Sequence, residues 1–400
     1  MTWLNFLHFY QPANTESYNI RKALDKSYWR LLRLMEEHPD LRATWNVSGC
    51  LLERLADEKE DSFLNRLKSL VRQGRLELTG SAAYHGFLPL LPEDEVIRQI
   101  RTNEKILRKH FGKAFKPAGF FLPEMAYSPE LGKLVKRLGY SWIILDEIAY
   151  SVANNHRPEA GKIYLDAASG LKVVFRDRAI SSAYPPDKIW PLLKKEKQVS
   201  GKDKKNDAII LTATDAELYG LRHEDPTAEI EKIVKEKGLK SLTISALIKT
   251  AKAKPEKTAL KSSSWESSPK DVKSGRPYHL WLDKSNKIQT NLWKLADLAL
   301  KLGSRFKKDK NFYWHRWHLV RGLASCTFWW ASAHDFSKIY GPYAWSPDDI
   351  ERGLEDMIRS VRSFADRKTK KKKLEAEALY LKIKKLIWES HWKKHWQKTV

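Results

Sequence analysis

At 400 residues, with 42% apolar side chains, the chain can bury a full core, which excludes a disulfide-stapled mini-protein. Its 73 basic against 49 acidic residues give a formal charge of +24, yet the lysines fall in separate tracts at 194–198, 202–205, 249–257 and 368–373. No helix-turn-helix, zinc-finger or RNA-recognition pattern accompanies them, so the excess reads as solvated surface and not as a nucleic-acid stripe. Cys50 and Cys326 lie far apart in apolar contexts and read as free thiols. Residues 1–12 enter a strand pattern without a signal-peptide layout, and no later run suits a bilayer, so the expectation is a soluble cytoplasmic protein.

The first half alternates short β-branched or aromatic runs with longer amphipathic stretches, the pattern of a parallel sheet wrapped by helices. Strands are expected at Trp3–His8, Ala43–Ser48, Leu76–Gly80, Ala118–Leu122, Trp142–Asp146, Lys172–Asp177 and Ala208–Thr214. Helices fit between them at roughly 20–38, 50–73, 93–111, 128–138 and 185–196. Seven strands of this kind predict a closed or nearly closed α/β barrel, with reactive groups at the carboxyl ends of the strands. Residues 249–277 form a polar Lys/Ser/Pro-rich connection around the isolated Trp265. Beyond it the pattern is helical, with Ile288, Leu292, Leu295, Ala299 and Leu302 on one face and further helices at Val320–Ala333, Pro347–Asp366 and Leu374–Trp396. The expected division is a catalytic barrel over 1–260 and a helical region over 261–400 that completes its cleft.

Two acidic sites close apolar strands. FFLPEMAYS, residues 120–128, presents Glu124 where a helix is expected to begin, and TDAELYG, residues 214–220, presents Asp215 and Glu217. Glycosidic bond cleavage needs such a pair of carboxylates, one to attack the sugar and one to protonate the leaving oxygen. If residues 213–217 stay extended, Asp215 and Glu217 share a face, and their like charges disfavour ionisation of one of them.

In chain order these segments resemble the motifs of glycoside hydrolase family 57. HFYQP, residues 8–12, is similar to its His-x-His-Gln-Pro motif, with Tyr10 at the second histidine; GRLELTGSAAYH, FFLPEMAY, DAELYG and PYHLWLDKSNKIQTNLWKL, residues 277–295, resemble the next four. The resemblance extends from residue 3 to about 350. It implies an incomplete seven-stranded (β/α) barrel followed by a helical region, acting on α-glucan or maltooligosaccharides by a retaining double displacement, as a hydrolase or glucanotransferase. It places Glu124 on the nucleophile and Asp215 on the general acid/base; His8, Gln11, Glu77, His85 and Glu217 are candidate substrate contacts beside them, with Glu77 alternatively orienting these groups or pairing with a basic neighbour. Trp265 and Trp281 are candidates for stacking on sugar rings. No metal or organic cofactor is implied, and the oligomeric state is open.

Two other classes compete. The spacings His315/His318 and His391/His395 suit zinc on a helix, as in a metal-dependent polysaccharide deacetylase on a related barrel, but the early metal histidines and strand-one aspartate pair that such an enzyme needs are missing. A non-catalytic glucan- or nucleic-acid-binding protein is the other. Trp388, Trp392 and Trp396 recur every four residues and read as a packing stripe.

Overall fold

The computed structural model describes residues 1–198, 208–333 and 345–396. Its strands are β1 (Thr2–Phe9), β2 (Ala43–Val47), β3 (Leu76–Leu78), β4 (Gly119–Phe120), β5 (Trp142–Asp146), β6 (Tyr164–Asp166), β7 (Lys172–Arg176), β8 (Ile209–Asp215), β9 (Lys240–Ser241) and β10 (Glu256–Thr258). All seven expected strands are present. The three unexpected ones, β6, β9 and β10, have three residues or fewer each.

One sheet runs β3-β2-β1-β8 and the other β10-β6-β7-β5-β4. They join at both sides. Gly80 after β3 bridges Phe120 of β4, through Gly80 N–H to the Gly119 carbonyl and Phe121 N–H to the Gly80 carbonyl, both at 2.9 Å. On the other side Asp177 N–H, just past β7, donates to the Leu211 carbonyl of β8 at 2.8 Å. The parallel strands β1-β2-β3-β4-β5-β7-β8 thus form a seven-membered ring, and the antiparallel β6 is appended to β7. The ring is filled by Leu4, Phe6, Phe121, Trp142, Ile144, Val174, Leu211 and Ala213, all buried in one apolar cluster with Ile244 and Leu247.

Two compact units divide the chain. The first comprises Met1–Gln11, Thr15–Ala83 and Leu88–Val272; the second comprises Pro12–Asn14, Tyr84–Phe87 and Lys273–Val400. The second is helical, with Lys287–Arg305, Phe312–Gly322, Ser325–Trp329, Pro347–Arg362 and Lys370–Ser390 as its main elements. The helix expected over Val320–Ala333 is broken, because Ala324 turns to extended backbone and bridges Gly86, while Ser325 N–H donates to the His85 carbonyl at 2.9 Å. Trp392 and Trp396 are about half exposed and meet edge to face at 5.0 Å, so the expected packing stripe is only partly covered. Among the described residues no helix is long and apolar enough to cross a membrane. The lysine tract at 202–205 lies outside the described residues.

Candidate active site

Side chains alternate along a strand, so residues two beyond the apolar layer point the same way and form the next layer up. Above Phe6, Ala213, Ile144 and Val174 this places His8, Asp215, Asp146 and Arg176 at the carboxyl ends of their strands. His8 and Asp215 are register partners on β1 and β8. A polar chain continues from them, with His8 Nδ1 2.8 Å from Asn46 Oδ1 and Asn46 Nδ2 donating to Thr79 Oγ1 at 3.2 Å. That orientation of Asn46 makes Nδ1 the protonated nitrogen of His8. Burial lowers the proton affinity of the His8 ring, against the opposing pull of Asp215, so a neutral imidazole is favoured.

Glu124 follows β4 in a short turn, Pro123–Met125, and does not open a helix as expected; the next helix starts at Pro129, capped by Ser128. Glu124 and Met125 are both left-handed, with φ of 60° and 47°. Such backbone costs a non-glycine residue about 1–3 kcal/mol and concentrates at functional sites. Trp265 holds the turn. Its backbone N–H donates to the Glu124 carbonyl at 3.1 Å and its indole N–H to Glu124 Oε2 at 2.9 Å. The Trp265 ring also lies 6.3 Å from His8 and 6.1 Å from Phe121, while Phe121 lies 4.6 Å from His8. Asp215 is thus the neighbour of His8 across the strand pair, and Glu124 is linked to His8 through the Trp265 ring.

The Asp215 segment departs from the extended course considered above, since β8 ends at Asp215 and Ala216–Leu218 forms a tight turn. Asp215 Oδ2 accepts from Arg222 Nη1 at 2.6 Å. Glu217 is only 2% exposed and its Oε1 accepts from Gln11 Nε2 at 2.9 Å and from the Tyr28 hydroxyl. Burial pushes the Glu217 carboxyl up to about 7; Asp215 adds to the rise, and Arg222 and the Tyr28 hydrogen bond oppose it. The turn is seated on a π-helical segment, Leu24–Tyr28, where Ser27 Oγ donates to the Ala216 carbonyl at 2.6 Å. Gly220 closes it at φ +111°, and a Cβ there would lie 2.2 Å from the Lys26 carbonyl oxygen. The motif's glycine therefore answers both to backbone conformation and to a close chain approach.

Of the other expected site residues, Glu77 sits one layer lower, opposite Thr44 on β2. Its carboxylate accepts from Thr44 Oγ1 at 3.0 Å, Ser245 N–H at 3.1 Å and the Ser245 hydroxyl, at the start of the helix Ile244–Thr250. His85 belongs to the second unit, where its Nδ1 lies 2.8 Å from Ser325 Oγ. Trp281, also in the second unit, is 0% exposed and stacked on Phe87 at 4.5 Å. Among the described residues no three His, Cys, Asp or Glu side chains are grouped to hold a metal ion. His315 Nδ1 instead meets the Ser360 carbonyl and His318 Nδ1 meets Asp356 Oδ1, each at 3.0 Å. Tyr28, Arg222 and the grip of Trp265 on Glu124 were not foreseen. Arg222, two residues past Gly220, was the one with a local signal, a cation close behind an acidic cluster.

A ring of parallel strands carrying carboxylates at their carboxyl ends is an architecture of carbohydrate-active (β/α) barrels. The family model described as Glycosyl hydrolase family 57 matches residues 4–260, and the chain belongs to that family. It is 28% identical over 177 residues to an α-amylase of Pyrococcus horikoshii, covering 44% of this chain and 27% of that protein. It is 27% identical over 162 residues to a 4-α-glucanotransferase of Thermococcus litoralis, covering 40% and 24%. The crystal structure of the T. litoralis 4-α-glucanotransferase superposes with a TM-score of 0.72 at 17% identity, over 90% of this chain and 60% of the other. A GH57-type branching enzyme of P. horikoshii gives 0.68, also at 17% identity, over 96% and 95%. The sequence matches span about a quarter of the length of those two curated relatives.

Proposed function

We propose that the chain rearranges or hydrolyses α-glucan by a retaining double displacement, with Glu124 as nucleophile and Asp215 as general acid/base. The observation that carries this reading is the convergence at the barrel rim: a carboxylate held by the Trp265 indole, whose ring lies 6.3 Å from His8, and a second carboxylate in register with His8. In the first step a Glu124 oxygen bonds to the anomeric carbon as the glycosidic C–O bond breaks, and the Asp215 proton passes to the leaving oxygen. In the second, water or a sugar hydroxyl attacks the same carbon, its proton returns to Asp215 and the Glu124 carboxylate departs.

Donation from Asp215 requires Oδ2 to exchange its Arg222 partner for the glycosidic oxygen. Arg222 lies in the field of both Asp215 and Glu217. Neutral His8, with Nδ1 committed to Asn46, is suited to hydrogen bonding with a sugar hydroxyl and carries no proton of the reaction. The names of the relatives, α-amylase, 4-α-glucanotransferase and branching enzyme, support an α-glucan substrate.

The test is product analysis after incubation with amylose and with maltooligosaccharides, beside Glu124→Ala and an EDTA-treated sample. New reducing ends denote hydrolysis; redistributed chain lengths at constant reducing ends denote transfer. Either result must vanish in Glu124→Ala and survive EDTA. Unchanged glucans, or full activity in the variant, would overturn the reading.

A further inference from the structure

The grip on Glu124 is part of a larger assembly that the two-carboxylate chemistry does not itself require. The segment 263–267 pairs with the nucleophile's turn at Tyr127, through Tyr127 N–H to the Ser263 carbonyl at 2.8 Å and Ser263 N–H to the Tyr127 carbonyl at 3.2 Å. It then donates twice to Glu124 through Trp265, from the backbone and from the indole. It closes on itself by Ser264 N–H to Ser267 Oγ at 2.8 Å. Its far end is held by Arg178, whose Nη2 donates to the Ser267 carbonyl at 2.9 Å and whose Nη1 donates to Asp146 Oδ1 at 2.9 Å. Asp146, 1% exposed, also accepts from Arg176 Nε at 2.7 Å. Arg176 in turn donates to the Ala213 carbonyl at 3.0 Å and lays its guanidinium 5.3 Å from the centre of the Trp265 ring. The ends of β5, β7 and β8 are all tied to one indole.

We propose that residues 263–267 are a positioning strap, in which the Trp265 indole N–H orients the Glu124 carboxylate for attack on the anomeric carbon and the Asp146–Arg176–Arg178 cluster holds the strap in place. The inference rests on Glu124 being the nucleophile. The terminal torsion of a glutamate is intrinsically broad, and one fixed donor on Oε2, on a turn whose carbonyl is held by the same residue, sets it before substrate arrives. The alternative role for Trp265, a stacking platform for sugar, fits this geometry less well. One face of the indole is covered by Arg176, His8 meets the ring at 67° and Phe121 at 58°. The strap follows the residues matched by the family model, 4–260.

Trp265→Phe keeps a ring and removes the N–H; Arg178→Ala releases the strap without touching the ring. Each is expected to lower kcat on maltooligosaccharides by about 10- to 100-fold, the loss of a hydrogen bond to a charged group, while KM stays within about twofold. Arg178→Ala carries the test should thermal melting show Trp265→Phe to be unfolded. A loss confined to KM in the folded variants overturns the strap and makes Trp265 a sugar contact. The second arm is turnover of α-maltosyl fluoride in azide by Glu124→Ala, rescued or residual, with and without Trp265→Phe. An unchanged rate on adding the second substitution supports action through the carboxylate. A further fall as large as in the single variant overturns it. Full activity of Glu124→Ala on maltooligosaccharides is a separate outcome, which removes the nucleophile assignment and the inference together.

Discussion

Glu124 and Asp215 do different work in the proposed cycle, and single substitutions separate them. Glu124→Ala is expected to reduce turnover by at least about 1,000-fold without loss of fold, since the side chain is only partly buried; thermal melting and rate measurements on the same sample check both halves. Asp215→Ala is expected to slow substrates with poor leaving groups far more than glycosyl fluorides, which need no proton. A uniform loss across leaving groups would count against the acid/base role. Glu217 provides a pH test. Its carboxyl is raised from 4.5 to about 7, so between those values the folded protein holds a proton that the unfolded chain has released. That contribution to stability is complete below about 4.5 and is lost as pH rises through about 7, a change of about 3 kcal/mol. Glu217→Gln keeps an oxygen for Tyr28 and Gln11, so the difference in unfolding free energy between wild type and variant should shift by that order across the window. A difference that stays flat with pH would show that burial does not hold the proton.

At the scale of elements, the acidic turn after β8 depends on a segment nearly 200 residues earlier in the chain. The π-helical turn Leu24–Tyr28 brings Ser27 to Ala216 and Tyr28 to Glu217, and π-bulges are common where a helix must re-aim side chains at a site. Gly220→Ala is expected to destabilise the protein by about 1–3 kcal/mol from backbone strain alone, with more from the contact with Lys26, and to reduce activity by displacing the turn. Denaturant unfolding together with kcat checks it; an unperturbed variant would show that the chain crossing has slack. The long amphipathic helices and the five longer main strands were legible because their periods persist over a full element. β3 and β4, with three and two residues, were legible only through the wider runs 76–80 and 118–122 that contain them, and the equally short β6, β9 and β10 were not. The break at Ala324 was equally hidden, because it is made by pairing with Gly86, more than 200 residues away in sequence.

For the molecule as a whole, the charge of +24 and the proposed substrate point in different directions, since α-glucan is neutral. If the surface lysines serve as solvated charge only, kcat/KM on a maltooligosaccharide should change less than about twofold from low to high salt, because no counterions are released on binding. A steep salt dependence would show that the basic surface takes part. The closed ring explains why the polar layer can be assembled at all. His8, Asp146, Arg176 and Asp215 come from four strands of two sheets, and only the joints at Gly80/Phe120 and Asp177/Leu211 bring those sheets round one interior.

The amino-acid sequence by itself determined the class of fold, the seven principal strands and the positions of Glu124 and Asp215, because hydrophobic period and short motifs are local properties that survive without a third dimension. It also singled out Trp265, as a candidate for stacking on sugar. Tertiary structure alone decided what each of these groups touches. Glu124 meets Trp265 across 141 residues of chain, Glu217 meets Tyr28 across 189 and Gln11 across 206. The raised carboxyl of Glu217, the left-handed turn at Glu124 and the Asp146–Arg176–Arg178 anchor all follow from such contacts. Burial and electrostatic field at a site are set by neighbours distant in sequence, and those neighbours exist only once the barrel has closed.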